Sequence, residues 1–398
     1  MPKKNVILLS KHLSIDPNSS WLTDDLVSQL LDDGFNVDII LLDLKGTWVG
    51  HDFEGSRSER VFSFSVVGSH FLAKSLSFLF AYIRMLFFVM FSKKLVKSEL
   101  LIGFSIATPF LFIPRILRSR GLIGRSTLIL WDFFPIHQYQ IGKLRSKIFE
   151  RILRVSERSA INEFDDVALM SEMNRKFFLN YYPKFSGETL IIPVWGRDPA
   201  SVTYESLRGE ENFSCDKLHC IFGGQITKGR GIDTLLKLGL EIDRLGYPIL
   251  IHIFGDGDQL TTVEDVISSK AIKSIHCYGS VSRNTYSSYL KLADVGMVIT
   301  VSGVTVPTFP SKVIDYFRAK LPVIACVEQS TDFGEVVEQI ARAGLKAPVD
   351  NVPEILAKLN SMYRLKLEGE LSGMGQRGFD FFYREMHVKN VTGKLLNF

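Results

Sequence analysis

Lys312 and Asp315 lie three positions apart in TFPSKVIDYFRAKLPVIA, residues Thr308–Ala325. The pattern predicts a turn through Pro310 and Ser311, an amphipathic helix opening at Lys312, and a buried strand after Pro322. A helix start has free backbone N–H groups and a partial positive charge, so it attracts anions. A lysine there adds a full charge for a phosphate. A carboxylate one turn on accepts hydrogen bonds from sugar hydroxyls. Together they suggest a pocket for a nucleotide-sugar diphosphate. The plainer reading of Asp315 is a first-turn acid that favours the helix dipole.

Two glycine turns could serve the same ligand. Gly223-Gly224-Gln225-Ile226-Thr227-Lys228-Gly229-Arg230-Gly231 falls between a predicted strand and a predicted helix. Its four glycines let the backbone approach a ligand closely, and Lys228 and Arg230 can neutralise phosphate oxygens. It matches neither a P-loop nor GxGxxG, and an ordinary glycine-rich turn explains it equally well. Phe254-Gly255-Asp256-Gly257-Asp258 holds an Asp-x-Asp spacing used elsewhere for metal–nucleotide binding, but a plain turn is the favoured reading. Tyr278, closing a third strand, could flank a nucleobase or pack in the core.

The elements that must position these residues alternate along the chain. Asn5–Leu9, Trp21–Asp33 and Val37–Leu42 read as strand, helix, strand. Phe71–Lys97 reads as a long helix or helix pair, and Ile141–Ala160 as helical. Residues 196–215 look like a linker, after which the alternation restarts. The chain of 398 residues is long enough for two domains, at 1–195 and 216–376. Residues 377–398 have helical character and are candidates to pack back on the N-terminal domain.

Composition narrows the class. With 46% hydrophobic and 23% charged residues the chain is globular, and a net charge of +4 does not imply nucleic acid. Four cysteines in no metal spacing read as reduced core residues. Val6–Leu9 is too short for a signal-peptide core, so a cytoplasmic location is expected. Phe71–Phe91 is very apolar, carries only Lys74 and Arg84, and leads into Lys93, Lys94 and Lys97. That combination suits an interfacial helix on an anionic leaflet, the alternative being a core helix with a polar exit. Peripheral contact with the inner face of the cytoplasmic membrane through Phe71–Lys97 is therefore expected.

In order, GGQITKGRGIDTLL, HIFGDGDQL, IHCYGSVSRNTYSSYLKLADVGMVI, FPSKVIDYFRAKLPVIA and AGLKAPVDNVPEILAKL resemble the nucleotide-sugar domain of family 4 retaining glycosyltransferases of the GT-B fold. Bacterial enzymes of surface-polysaccharide assembly look most similar. ELLIGFSIATPFLFIPRILRSRG, LILWDFFPIHQ and DDVALMSEMNRKFF resemble the acceptor domain of the same branch. The resemblance implies an α/β protein of two Rossmann-like doubly wound domains facing a central cleft.

It further implies transfer of a sugar from a nucleotide diphosphate sugar to a saccharide or polyprenyl-diphosphate-linked acceptor, in O-antigen, capsule or exopolysaccharide synthesis. No metal and no cofactor beyond the donor substrate are implied. The family's diphosphate-gripping Arg and Lys fall at Gln225, a departure, and Arg230. Its paired acids fall at Pro307, where the acid is missing, and Asp315. In members with a Pro-Ser-Lys turn that also lack the first acid, the turn's backbone and lysine serve the diphosphate, which puts weight on Pro310, Ser311 and Lys312. Asp132 and His137 fall where the family faces acceptor and sugar, and the Ser10–Ser20 loop, with His12 and Asn18, should face the cleft. A sugar-nucleotide epimerase and a non-catalytic GT-B partner protein are the alternatives.

Overall fold

NVILLS, NVDIIL and SELLIGF are apolar on successive residues, as strands covered on both faces must be. In a computed structural model describing residues 4–14, 21–48, 53–54, 59–198, 207 and 212–397, they lie in one sheet. The strands are β1 (Asn5–Ser10), β2 (Asn36–Leu41), β3 (Phe53–Glu54), β4 (Glu59–Ser63), β5 (Ser98–Phe104), β6 (Ile123–Leu130), β7 (Asp166–Leu169) and β8 (Glu188–Ile191). Their order is β3-β4-β2-β1-β5-β6-β7-β8, parallel except for the β3–β4 pair. Val6 of β1 stands beside Val37 on one side and Leu100 on the other. Among the described residues these strands are connected by the helices α1 (Leu22–Asp32), α2 (Phe71–Phe91), α3 (Ile113–Ser119), α4 (Ile136–Gln140), α5 (Lys147–Ile161) and α6 (Glu172–Tyr181).

A second sheet holds β9 (Leu218–Gly223), β10 (Ile249–Phe254), β11 (Ile275–Gly279), β12 (Val295–Ile299), β13 (Val323–Val327) and β14 (Gly344–Pro348). It is wholly parallel, in the order β11-β10-β9-β12-β13-β14. Its helices are α7 (Ile232–Leu245), α8 (Leu260–Ser269), α9 (Arg283–Leu292), α10 (Val313–Arg318), α11 (Phe333–Glu335), α12 (Val352–Leu367) and α13 (Leu371–Phe381). A further helix, α14 (Val388–Leu396), follows.

The chain divides into one unit of residues 1–193 with 388–398 and a second of 194–387. The ends of the expected linker are packed: Trp195 beside it is fully buried, and Phe213 stacks on His252 with centroids 4.0 Å apart. Residues 199–206 and 208–211 lie outside the described set. The return to the first unit falls at Val388, later than the expected Arg377. Phe382 and Met386 are fully buried and Gly196 N–H donates to the Met386 carbonyl at 3.1 Å, which keeps residues 371–387 in the second unit. α14 packs on α1, where the Thr392 hydroxyl donates to Asp33 at 3.4 Å.

Local chemistry explains two differences from the sequence reading. The helix expected over 141–160 is broken because Gly142, at φ +76°, ends α4, and Ser146 caps α5 by accepting the Phe149 N–H. Phe71–Lys97 is a single helix that stops at Phe91, where Ser92 is extended.

Buried histidines tie the second unit together. His219 Nε2 lies 2.6 Å from the Ser214 carbonyl, which can only accept, so that nitrogen carries the proton. His219 Nδ1, 3.0 Å from His252 Nε2, then accepts, and the Tyr278 hydroxyl donates to His252 Nδ1 at 3.1 Å. Burial, with His219 and His276 nearby, pushes His252 down to about 3, and burial also lowers His219 and His276. Between about pH 6.5 and 3 the unfolded chain therefore binds more protons than the folded one, and stability falls as pH falls through that window. Calorimetric melting of wild type should show this loss, and His252→Phe should make it shallower. An equal slope in both proteins rejects the neutral-histidine account.

Candidate functional site

In an open parallel sheet, ligands bind beyond the carboxyl ends of strands where the chain reverses its direction of building. In the second unit that point lies between β9 and β12. Gly223 and Gly224 stand at the end of β9. Gly223 N–H donates to the Tyr316 hydroxyl at 3.2 Å, which donates onward to the Met297 carbonyl at 3.1 Å. A Cβ on Gly223 would come within 2.1 Å of the Tyr286 hydroxyl oxygen.

The two glycine turns brace one another. Gly224 N–H donates to the Phe254 carbonyl at 3.0 Å, and Ile226 N–H to the Asp256 carbonyl at 2.9 Å. Gly255 has φ +140°, and a Cβ there would fall 1.7 Å from the Gly224 carbonyl oxygen. Close backbone approach thus accounts for glycine at 255. Asp256 caps its own turn by accepting the Gly257 N–H at 2.7 Å, as the plain-turn reading expects. Among the described residues no group of three His, Cys, Asp or Glu is arranged to hold a metal ion.

Lys312 lies beside this double turn. Its ammonium sits 3.6 Å from the centroid of the Phe222 ring and within 3.7 Å of where a Gly224 Cβ would be. Among the described residues its side chain makes no hydrogen bond or ion pair. Burial, and secondarily the Arg230 charge, push Lys312 down to about 7. Arg230, Lys228 and Gln225 are solvent-exposed, and neither cation is paired among the described residues. The helix behind Lys312 opens where expected, with Lys312 as its N-cap and Asp315 in its first turn. α10 runs only six residues from Val313, so the lysine charge outweighs any helix dipole.

Glu328, just past β13 and 5% exposed, positions the turn before Lys312, and the sequence reading missed it. It accepts the Thr308 N–H at 3.2 Å, the Thr308 hydroxyl at 2.7 Å and the Thr300 hydroxyl. The available signal was an acid directly after a fully apolar strand. Thr331 fixes the same turn through the Thr308 carbonyl at 2.5 Å. Pro310 and Ser311 are half-buried in that turn, and Pro307 is buried.

Two sequence candidates are already occupied. Asp315 Oδ1 accepts from Arg318, and Arg283 stands 3.9 Å away. Arg318 also donates to the Arg197 carbonyl at 2.8 Å, so the cation is anchored. The Tyr278 ring stacks on Phe254 with centroids 4.6 Å apart, and its hydroxyl is held by His252. Core packing thus claims one face of that ring.

In the first unit, Trp131 and Asp132 donate their N–H groups to Ser105 Oγ at 3.1 and 3.3 Å. The Asp132 carboxylate is exposed. His137 lies half-buried on α4, and its N–H donates to the Phe133 carbonyl at 3.0 Å. His12 has a solvent-shielded Nδ1 without a hydrogen-bond partner, while Asn18 lies outside the described residues. Gly223, Gly224, Gly255, Arg230 and Lys312 are thus grouped in the second unit, whereas Asp132 and His137 belong to the first.

No family model and no curated protein matches this chain. Solved structures do. Sucrose-phosphate synthase from Thermosynechococcus elongatus is similar over 99% of this chain and 98% of its own, with TM-score 0.71 and 14% identity. The E. coli trehalose-6-phosphate structure bound with UDP-2-fluoro glucose is similar over 99% and 98%, with TM-score 0.72 and 10% identity. HepE from Anabaena, solved in complex with UDP, is similar over 99% of each chain, with TM-score 0.66 and 11% identity. These likenesses define the fold as GT-B, with two parallel-sheet α/β domains.

The half-buried Lys312 makes a separate prediction about stability. Its folded value of about 7 lies below the ordinary 10.5, so stability rises with pH between these limits and the charged form opposes folding below them. Lys312→Met should raise the melting temperature near pH 7 by several degrees, corresponding to stabilisation on the order of a few kcal/mol. The gain should vanish near pH 10. A lower melting temperature at pH 7 would show the ammonium to be structurally compensated.

Proposed function

We propose that this protein is a retaining glycosyltransferase of the family 4 type, taking a nucleotide diphosphate sugar in its second unit and a saccharide or polyprenyl-diphosphate-linked acceptor in its first. The observation that carries this reading is the pair of uncompensated cations, Lys312 and Arg230, beside two glycine turns at a sheet switch point. Cations without carboxylate partners in such a place suit a diphosphate. The UDP and UDP-2-fluoro glucose in two GT-B structures support the choice of ligand.

Lys312 and Arg230 would hold the diphosphate and stabilise the charge that grows on it as the sugar–oxygen bond breaks. Lys228 and the amide of Gln225 would add donors to the phosphate oxygens, and the backbone at Gly223, Gly224, Gly255, Pro310 and Ser311 would line its path. Asp315, with Oδ1 engaged by Arg318, retains Oδ2 for a ribose hydroxyl. Tyr278 would flank the base with its remaining face. Asp132 and His137 would orient the acceptor. No side chain in this set is a required nucleophile, so transfer occurs on the face the donor leaves, with the departing phosphate accepting the acceptor proton. Two cations on the leaving group make a metal ion unnecessary, and no cofactor takes part. Surface-polysaccharide synthesis on the cytoplasmic face of the membrane is the setting that the sequence resemblance favours.

α2 supports a membrane setting. It is long and apolar enough to cross a membrane, yet only Ala81, Met85 and Val89 of its 21 residues are buried. Phe71 is 83% exposed and Phe80 65%, which a core helix would not tolerate. On α5, Ile152 and Val155 are exposed between Arg151, Arg154 and Arg158. Apolar faces edged by cations suit anionic headgroups, each cation contributing about 1 kcal/mol.

Turnover with a panel of UDP-, GDP- and dTDP-sugars tests the enzyme. Lys312→Ala and Arg230→Ala should each lower it about tenfold or more with the fold intact. Slow release of nucleotide diphosphate supports a transferase. Interconversion of sugar epimers without acceptor would mark an epimerase, and no nucleotide-sugar binding would mark a non-catalytic GT-B protein, as the missing acid at Pro307 allows.

Because Lys312 is largely neutral above about pH 7 when free, a bound diphosphate should draw a proton onto it. Calorimetry near pH 8 in buffers of different ionisation heat should show proton uptake, with affinity falling as pH rises. Proton-neutral binding would separate Lys312 from the ligand. Flotation with anionic vesicles tests the helix: replacing Phe80 and Phe87 with Ser should lower the bound fraction severalfold, and an unchanged fraction would reject docking.

A further inference from the structure

The two cations of the second unit stand on separate turns, and their charges repel: after burial, Arg230 is what lowers Lys312. Something must hold those turns at one spacing. Gly231 follows Arg230 and caps the start of α7 with φ +73°. A Cβ there would meet Ile299 Cγ2 at 2.3 Å and the Thr300 carbonyl oxygen at 2.5 Å. The Arg230 turn is thus seated on the end of β12. The Lys312 turn begins at Thr308.

Thr300 and Thr308 are the two ends of one loop, and Glu328 holds both. Its Oε2 accepts the Thr300 hydroxyl, while Oε1 takes the Thr308 hydroxyl and N–H. The Glu328 N–H donates in turn to Thr300 Oγ1 at 3.2 Å. Ser330 fixes the middle of the loop, its hydroxyl donating to the Val304 carbonyl at 3.0 Å. Val304 and Val306 are buried beneath it.

The donors on this carboxylate are two hydroxyls and one backbone N–H, none of them charged. The charge that acts on Lys312 is that of Arg230, not that of Glu328. A buried carboxylate spent on neutral donors acts through geometry. Glutamine could hold the same shape, its carbonyl accepting from Thr308 and its amide donating to Thr300 Oγ1.

We propose that Glu328 is a positioning residue for both cations: by clasping the 300–308 loop at its two ends, it sets the gap between the Arg230 turn and the Lys312 turn that a diphosphate bridges. The choice of a diphosphate rests on the transferase reading; the clasp itself does not.

Acetic anhydride labelling of Lys312, read by mass spectrometry against pH, tests the clasp without any ligand. The labelling midpoint should rise by about one unit or more in Glu328→Leu, as the loosened ammonium regains water, and stay in place in Glu328→Gln. Calorimetry with UDP, GDP and dTDP then tests the bridge. A diphosphate that wild type binds should bind Glu328→Leu about tenfold more weakly, and Glu328→Gln within about threefold of wild type. Melting curves establish that each variant is folded at the assay temperature. If Glu328→Leu is not, Thr300→Val takes its place, with changes in the same direction. An unmoved midpoint or an unchanged affinity in the folded variant overturns the proposal, and so does a glutamine variant as perturbed as the leucine one. If wild type binds none of the three diphosphates, the transferase reading fails and the midpoints alone decide the clasp.

Discussion

A half-buried ammonium group with no carboxylate to meet it is the constraint on which the second unit's site depends. Desolvation alone disfavours the charge at Lys312, and the guanidinium of Arg230 disfavours it further. The face of Phe222 offers partial compensation. Everything nearby keeps the lysine in this costly place. Gly224 supplies no side chain to displace it, and Glu328 and Thr331 hold the preceding turn by its backbone and hydroxyl. Local disagreement with otherwise consistent folding rules is expected where a ligand completes the charge balance.

The two units solve the same geometric problem with opposite electrostatics. Each is a largely parallel sheet with a lysine near its switch point. The charges around Lys312 sum toward positive and those around Lys11, from Glu157 and Asp132, toward negative.

Much of this was legible from periodicity and punctuation. Apolar runs such as LHCIFG and ILIHIF located the strands of the second sheet, and the glycines of GGQITKGRG marked the place where backbone meets backbone. Other features are properties of three dimensions. Asp315 looked available until Arg318 closed on it, and Tyr278 until Phe254 and His252 did. Glu328 carries no motif: it matters because three donors, two on Thr308 and one on Thr300, converge on it. Core and interfacial helices are equally apolar, so exposure, at Phe71, Leu72 and Phe80 among others, distinguishes α2 from a core helix.

The path of the chain adds a temporal consequence. Residues 388–398 belong to the first unit although 194 residues of the second precede them, and α14 covers α1 with Thr392 buried against it. On a ribosome the nascent chain emerges in order, and domains fold as units once their segments are available. The first unit must therefore wait, with the α1 surface open, until the whole second unit has been made. The amino-terminal half is begun first and finished last, so its assembly is gated by translation of its neighbour.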